Sequence, residues 1–281
     1  HLPGASRASA APYVPLAWKR ILHGVTQSGA FVRPALRMVW SGDDLTPSSL
    51  ADTAAQATVL VFDRGARRED THRCSGALVG PDQHIVTAAH RLLSPRGALV
   101  SPDRLLACTK GNVASSDAVC RSIAGYTLPR GYAGQGWPQL DVAILHPTTR
   151  LPEAALPLPF LAPPAQGPFP TEAASYGYPA WKPLIAGMVE QNKRAPRHFD
   201  HWAIGADPFA AAVVDLREHP RSLRFRMDAS SGHSGGPIFW TEPGFAPQPT
   251  LLTVLSAWNP VIRRMVGPHP SLIRNLLAAS P

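Results

Sequence analysis

Residues 228–239 read DASSGHSGGPIF, a stretch in which three glycines surround a serine. At its centre lies Ser234, with Gly232 two residues before it and Gly235 directly after it. A serine hydroxyl becomes a nucleophile only when a base takes its proton and hydrogen-bond donors await the resulting oxyanion. Glycines let the backbone turn sharply, so that amide N–H groups and the hydroxyl face one small space. The stretch therefore predicts either a nucleophile, with the N–H groups of Gly232 and Ser234 as its oxyanion hole, or an ordinary glycine-rich turn.

His90 and Asp141 are the candidate base and acid. His90 follows the run IVTAA at residues 85–89, whose small side chains let another strand approach and leave the imidazole facing a cleft. Asp141 opens the apolar run VAIL at residues 142–145, where a partly buried carboxylate needs a hydrogen-bonded partner. Taken singly, a structural histidine and a solvent-exposed turn aspartate explain these residues at least as well. Their order along the chain, with Ser234 after both, favours a catalytic triad.

Four blocks of sequence look like the successive signature blocks of trypsin/chymotrypsin-like serine peptidases, and the order His, Asp, Ser is that of chymotrypsin. The blocks are CSGALV at 74–79, TAAH at 87–90, DVAIL at 141–145 and GHSGGP at 232–237. Gly-Tyr-Pro at 177–179 additionally resembles the secreted bacterial glutamyl-endopeptidase branch. The resemblance runs from roughly residue 57 to 279. It implies an all-β fold of two packed six-stranded antiparallel β-barrels, with the catalytic groups in the cleft between them.

The same resemblance implies a serine endopeptidase that acts on a protein or peptide substrate without a cofactor. In the mechanism of such enzymes His90 is the general base, Asp141 orients it, and Ser234 attacks the scissile carbonyl. The N–H groups of Gly232 and Ser234 receive the oxyanion, an acyl-enzyme forms, and water releases it.

Two positions depart from the family pattern. Trypsin-like enzymes usually pair the cysteine that matches Cys74 with one directly after the histidine, and Arg91 stands there instead. Enzymes activated by a new N-terminus commonly carry aspartate before the serine, and here that residue is His233. We therefore expect no activation by an N-terminal ion pair.

Three residues are candidates for substrate binding: Asp228, Ser256 and Trp258. Asp228 lies six residues before the nucleophile, where trypsin-like enzymes place the aspartate that receives Lys or Arg side chains. Glutamate selection usually relies on a histidine matching roughly Ser256 or Ala257, and residues 251–259 contain none. Trp258 either lines the pocket or belongs to the core. The residue preference at the cleavage site stays open.

The three cysteines are Cys74, Cys108 and Cys120. Cys108 and Cys120 bracket a polar, Gly/Ser-containing loop, which suits a local disulfide worth roughly 3 kcal/mol. The alternative is a chain with all three thiols reduced. No metal site is expected, because neither Cys-x-x-Cys nor His-Glu-x-x-His spacing occurs.

Short apolar segments separated by Pro/Gly turns predict a chain built mainly of β-strands. The predicted strands are residues 58–62, 76–79, 84–86, 142–145, 185–189, 210–214, 223–227, 237–239 and 251–255. One C-terminal helix is predicted, capped by Ser271 and burying the side chains of Leu272, Ile273, Leu276 and Leu277. Residues 1–56 are predicted as an N-terminal extension or pro-region remnant. Residues 57–281 are predicted as the peptidase domain, with the boundary between its barrels at roughly 150–170.

Composition narrows the remaining function classes. The net charge of +8 comes from scattered Lys and Arg with no aromatic-basic module, so nucleic-acid binding is not expected. No apolar run approaches about 18 residues, so no membrane-spanning segment is expected either. We expect a monomer that is secreted or periplasmic, since the chain starts without methionine, suits a disulfide and resembles exported peptidases.

Two rival functions remain to be weighed. Gly-x-Ser-x-Gly at 232–236 also fits the nucleophile elbow of lipases and esterases, which requires an acid and then a histidine after the serine. After Ser234 the chain has no aspartate, only Glu242 and His269, and too few residues for that fold. The other rival is a catalytically silent binding module on the same scaffold, its cleft closed by the N-terminal segment.

Overall fold

The computed structural model describes residues 14–15, 46–47, 57–64, 72–94, 96–109, 120–132, 138–151, 174–177, 205–207, 211–213, 222–226, 232–240, 250–259 and 264–281. The strands in these ranges are β1 (Val14–Pro15), β2 (Thr46–Pro47), β3 (Thr58–Asp63), β4 (His72–Val79), β5 (His84–Thr87), β6 (Leu105–Thr109), β7 (Cys120–Thr127), β8 (Ala143–Pro147), β9 (Ala174–Gly177), β10 (Gly205–Asp207), β11 (Ala211–Val213), β12 (Ser222–Arg226), β13 (Pro237–Trp240), β14 (Thr250–Val254), β15 (Ala257–Asn259) and β16 (Arg264–Pro268). Helix α1 (Pro270–Ala279) follows them. No helix of the described residues is long and apolar enough to cross a membrane.

Strands β3 to β8 close into an antiparallel barrel in the order β3-β4-β5-β8-β7-β6. The run TVLVFD of β3 is buried at every position. Its four central residues are apolar, and the buried carboxylate of Asp63 accepts hydrogen bonds from Arg104. Leu78, Ile85 and Ile144, from three neighbouring strands, are completely buried in the core. This barrel confirms the β-class of the fold and the first of the two predicted barrels.

A disulfide joins two neighbouring strands of this barrel. Cys108 on β6 lies opposite Cys120 on β7, and the two form the predicted bridge across a sequence separation of 12. Cys74 on β4 is buried and keeps its thiol, whose Sγ lies 3.2 Å from the Thr87 hydroxyl. The prediction that Cys74 lacks the bridge usual in trypsin-like enzymes is therefore confirmed.

The C-terminal part of the chain supplies four strands to each of the two five-stranded sheets in the described residues. Their strand orders are β1-β15-β16-β12-β11 and β14-β13-β9-β10-β2. Of the predicted strands in this part, that at residues 185–189 lies outside the described residues, and the other four lie within or overlap observed strands.

Two short pieces of the predicted N-terminal extension lie at the edges of these sheets. Strand β1 pairs antiparallel with β15, and β2 pairs antiparallel with β10. The division of the chain after residue 56 stays a prediction, as does the barrel boundary at 150–170, which lies almost wholly outside the described residues.

The C-terminal helix α1 begins differently from the sequence prediction. Its N-cap is His269, whose ring Nδ1 accepts the N–H of Ser271 at 3.2 Å, so the predicted cap at Ser271 was wrong. Pro270 occupies the first helical position, where its missing N–H costs nothing. Ile273 and Leu276 are buried, so the face predicted to pack on the core does so.

Candidate active site

The ends of β5 and β8 position the candidate base and acid. β5 pairs antiparallel with β8, so the segment after β5 lies beside the segment before β8. His90 lies in the short 3-10 helix Ala89–Leu92 that follows β5. Asp141 comes directly after the 3-10 helix Pro138–Leu140 and just before β8. The barrel therefore brings together two residues 51 positions apart in sequence.

Asp141 holds His90 by two hydrogen bonds. Its Oδ2 lies 2.6 Å from His90 Nδ1, and its Oδ1 accepts the backbone N–H of His90 at 2.7 Å. Both residues are buried, with exposures of 7% for His90 and 6% for Asp141. A carboxylate on Nδ1 fixes the tautomer with the proton there, which leaves Nε2 as the basic nitrogen. In this tautomer Nε2 of His90 is able to accept a proton.

The pKa of Asp141 lies below its usual range. Burial alone would raise this pKa, but the positive charge of His90 and the hydrogen bonds from His90 and Ser256 outweigh it. The carboxyl group is therefore ionised at neutral pH, as is required to stabilise an imidazolium.

Ser256 is a further partner of Asp141. It is completely buried, directly after Leu255 at the end of β14, and its hydroxyl donates a hydrogen bond to Asp141 Oδ2. Asp141 therefore binds His90 of the barrel and also Ser256 of the C-terminal part, which lies 115 residues after it in sequence.

Ser234 lies in a turn whose glycines have backbone angles that favour glycine. Gly232 has φ +97° and Gly235 has φ +81°, both in the left-handed region. The Gly235 N–H donates to the Leu255 carbonyl at 2.6 Å, which ties the turn to the end of β14. Ser234 is completely buried, and the turn leads directly into β13.

Ser75 of the barrel also binds this turn. Its N–H donates to the Ser234 carbonyl at 2.9 Å, and its hydroxyl donates to the Gly232 carbonyl at 2.8 Å. A Cβ on Gly235 would overlap the Ser75 carbonyl and Thr87 Oγ1, so the turn lies directly on β4 and β5. Within the described residues, neither Ser234 Oγ nor His90 Nε2 has a hydrogen-bond partner.

Residues 74–244, more than half of the 281 residues, match the family model of the trypsin-like peptidase domain. The chain belongs to this family. A solved structure of a Glu endopeptidase in complex with MPD has a similar fold, with a TM-score of 0.61 at 16% identity, over 86% of this chain and 98% of that chain. No curated protein has a significantly similar sequence. The resemblance to trypsin/chymotrypsin-like serine peptidases, near the glutamyl-endopeptidase branch, is thus confirmed.

In this trypsin-like peptidase domain, the structure describes the three predicted substrate-binding residues to different extents. Ser256 has its hydroxyl on Asp141, so a role in a specificity pocket stays a prediction. Trp258 pairs through its backbone with Val14 and Met265 on the neighbouring strands. Asp228 lies outside the described residues.

His233 stands where enzymes activated by a new N-terminus commonly carry aspartate, and it is buried. Its ring contacts Gly177 so closely that a Cβ on that glycine would lie 2.6 Å from His233 Cδ2. Burial lowers the pKa of His233 to about 4, although a hydrogen bond with the Gly177 backbone acts in the opposite direction. The ring is therefore uncharged at neutral pH.

Sequence reasoning missed two of the residues that hold the site. The sequence predicts no separate role for Ser75, and for Ser256 it predicts only a place in the substrate pocket. Serine is too common a residue for its type to reveal such a role. The signal that was available is adjacency: Ser75 follows Cys74 in the first block, and Ser256 precedes Trp258 at a strand end.

Proposed function

We propose that this trypsin-like peptidase domain is an active serine endopeptidase that hydrolyses peptide bonds through an acyl-enzyme. Ser234 attacks the scissile carbonyl while His90 takes its proton through Nε2. Asp141 keeps the proton of the ring on Nδ1 and stabilises the imidazolium. The N–H groups of Gly232 and Ser234 receive the oxyanion, and a water activated by His90 then releases the acyl group.

The observation that carries this proposal is the buried His90–Asp141 pair. The carboxylate accepts both a ring and a backbone hydrogen bond from one histidine, at 2.6 and 2.7 Å. A general base needs a fixed tautomer and a fixed ring direction, and the bond to Nδ1 supports both. The turn with Ser234 lies on the same barrel, bound through Ser75.

A fluorophosphonate probe tests this proposal, because it reacts only with an activated serine. We expect one adduct, located at Ser234 by peptide mass spectrometry, and none in Ser234→Ala. Ser271→Ala, which removes an exposed serine on α1, is the matched control and should label like the native protein. A native protein that stays unlabelled at Ser234 would favour the silent binding module instead.

The substrate preference is proposed only as a class, protein or peptide. The Glu endopeptidase with the similar fold suggests glutamate, but no histidine lies between residues 251 and 259 of this chain to select that side chain. Asp228 stands six residues before Ser234, where trypsin-like enzymes place the aspartate that selects Lys or Arg by charge pairing, and the same role here would favour cleavage after Lys or Arg. A peptide library varied at the residue before the cut distinguishes them: equal cleavage after Lys and Leu excludes the role of Asp228.

We also infer that the two C-terminal sheets form the second of two six-stranded barrels and that the protein works outside the cytoplasm, secreted or periplasmic. The fold similarity over 86% of the chain supports the first inference. The Cys108–Cys120 disulfide supports the second, because such bonds persist mainly in oxidising compartments.

A further inference from the structure

The residue between the two proposed oxyanion-hole donors is His233. The N–H of Ser234 belongs to the peptide group that His233 shares with Ser234, so its direction follows the backbone angles of His233. The carbonyl of His233 accepts the N–H of Gly236 at 2.7 Å, which fixes that same peptide group from its other side. Whatever holds His233 therefore sets where the Ser234 N–H points.

The side chain of His233 is held by Gly177, the last residue of β9. A Cβ on Gly177 would lie 2.6 Å from Cδ2, 3.0 Å from Cγ and 3.1 Å from Cα of His233. The imidazole thus occupies space that only glycine leaves free. The backbone of Gly177 also hydrogen-bonds the ring, and β9 is itself fixed between β13 and β10.

We propose that His233 is the positioning residue of the oxyanion hole, and that its ring, packed on Gly177, holds the turn so that the N–H groups of Gly232 and Ser234 both face the attacked carbonyl. This inference rests on the proposed function of the site. Ser75 of the barrel binds the carbonyls of the same turn. Gly177 of β9, the strand that pairs with β13, contacts the ring of His233. The turn is therefore clamped from two sides.

The chemistry of the ring suits a contact with a backbone. A buried charge without a partner is strongly unfavourable, and the burial of His233, which is 4% exposed, keeps the ring uncharged at neutral pH. A neutral imidazole can pack on the glycine backbone and hydrogen-bond to it at once. No new N-terminal amine is needed for such a contact.

A displaced oxyanion hole has a kinetic signature. The donors stabilise charge that develops in the transition state, so their loss lowers kcat much more than it changes KM. Removal of one such donor typically costs about 100- to 1000-fold in kcat. Since His233 would direct a donor that remains present, we expect a decrease of about 10- to 100-fold.

The test changes both sides of the contact. His233→Asn removes the ring, and Gly177→Ala pushes the ring away with an added Cβ. kcat and KM are measured on a peptide substrate, with enzyme concentration taken from the end point of fluorophosphonate titration. We expect each variant to lose about 10- to 100-fold in kcat with KM within about threefold of native. The double variant should lose little more than the worse single variant, because both break one contact.

Gly125→Ala is the matched control, because a Cβ on Gly125 would meet only His146 Cδ2, at an ordinary 3.9 Å. It should keep native kcat and KM. A His233→Asn protein that keeps kcat within about threefold would overturn the inference, as would equal losses in variant and control. A lower titratable fraction with native kcat per titrated site would also overturn it, since that pattern reflects impaired folding alone.

Amide hydrogen exchange separates this inference from the proposed function, because it needs no catalysis. Exchange in peptides covering residues 232–236 should be faster in His233→Asn and Gly177→Ala than in Gly125→Ala. If native Ser234 does not react with the probe, the proposed function fails, yet faster exchange still supports the positioning role. Unchanged exchange overturns that role even in an active enzyme. If His233→Asn fails to fold, Gly177→Ala decides both readouts.

Discussion

In the N-terminal barrel, the candidate base is held by a side chain: Asp141 binds the ring and the backbone of His90. In the C-terminal part, the candidate nucleophile is held through its backbone. The carbonyls of Gly232 and Ser234 accept hydrogen bonds from Ser75, and the N–H of Gly235 donates to Leu255. The base is thus fixed by a charged side chain, and the turn of the nucleophile by hydrogen bonds to its backbone and by close packing at Gly235.

The two regions therefore differ in the substitutions that they tolerate. The contact between His90 and Asp141 depends on one carboxylate, so it is sensitive to the loss of that charge and of its hydrogen bonds. A site fixed by backbone contacts at glycine is sensitive to the addition of a single carbon atom, because nothing nearby can move away.

The largest effect is expected on the barrel side, for Asp141→Asn. The amide keeps the shape but favours the wrong tautomer of His90 and cannot stabilise its imidazolium, so kcat should fall by about 10⁴-fold. Steady-state kinetics of the variant and of Asp82→Asn, which changes an exposed aspartate, provide the measurement. A loss of less than tenfold would show that Asp141 is not what orients the base.

The next effect concerns stability on the turn side, for Gly235→Ala. The new Cβ would overlap the Ser75 carbonyl and Thr87 Oγ1, and the residue would keep φ +81°. We expect the free energy of unfolding to fall by about 4 kcal/mol, measured by urea denaturation.

Gly97→Ala is the control for this variant. Gly97 also has φ +81°, but a Cβ there would have no described atom within 4 Å. It should therefore lose only about 1 kcal/mol, the cost of the backbone angle alone. Equal losses in the two variants would show that strain, and not contact with the barrel, makes Gly235 sensitive.

The smallest effect is a pH dependence of stability that originates at His233. Its pKa is lowered from 6.5 to about 4, because the ring is buried. The unfolded chain therefore binds a proton below about pH 6.5, and the folded chain only below about pH 4. In that window the free energy of unfolding falls as pH falls, by about 1.4 kcal/mol per pH unit from this one group.

His233→Asn removes this titration, so its stability should change less steeply with pH than that of the native protein. Urea denaturation of both proteins between about pH 7 and 4.5 makes the comparison, because the other titrating groups are common to both. Parallel curves would mean that the ring is not buried in the folded protein.

The sequence was most informative where local pattern and tertiary role coincide. Val59–Phe62 is a continuous apolar run and forms the centre of the fully buried strand Thr58–Asp63. The blocks around His90, Asp141 and Ser234 lie within the residues that match the family model. The Cys108–Cys120 bridge also followed from local spacing, because the two residues lie on neighbouring strands.

Elements that depend on distant partners were not predicted. Strand β7 has only one fully buried position, Ile123, so its sequence has no strong alternation to detect. Strand β16 contains Gly267, and a Cβ at this position would overlap Thr253 and Val254 of β14 in the other sheet. Close packing between strands, and not a turn, therefore explains this glycine. The contacts of Ser256 with Asp141 and of His233 with Gly177 join residues far apart in sequence, and no local pattern encodes them.

The bonds of Ser75 also bear on the order of events during folding. Its hydroxyl reaches the Gly232 carbonyl across 157 positions of sequence, so this contact closes one of the longest loops in the chain. Long-range contacts of this kind form late, after the loop-closure entropy has been overcome. A chain still emerging from its synthesis, or folded only in its first barrel, therefore has no assembled nucleophile turn. The turn around Ser234 would therefore assemble in a late step, once the first barrel and strands β13 and β14 have both formed.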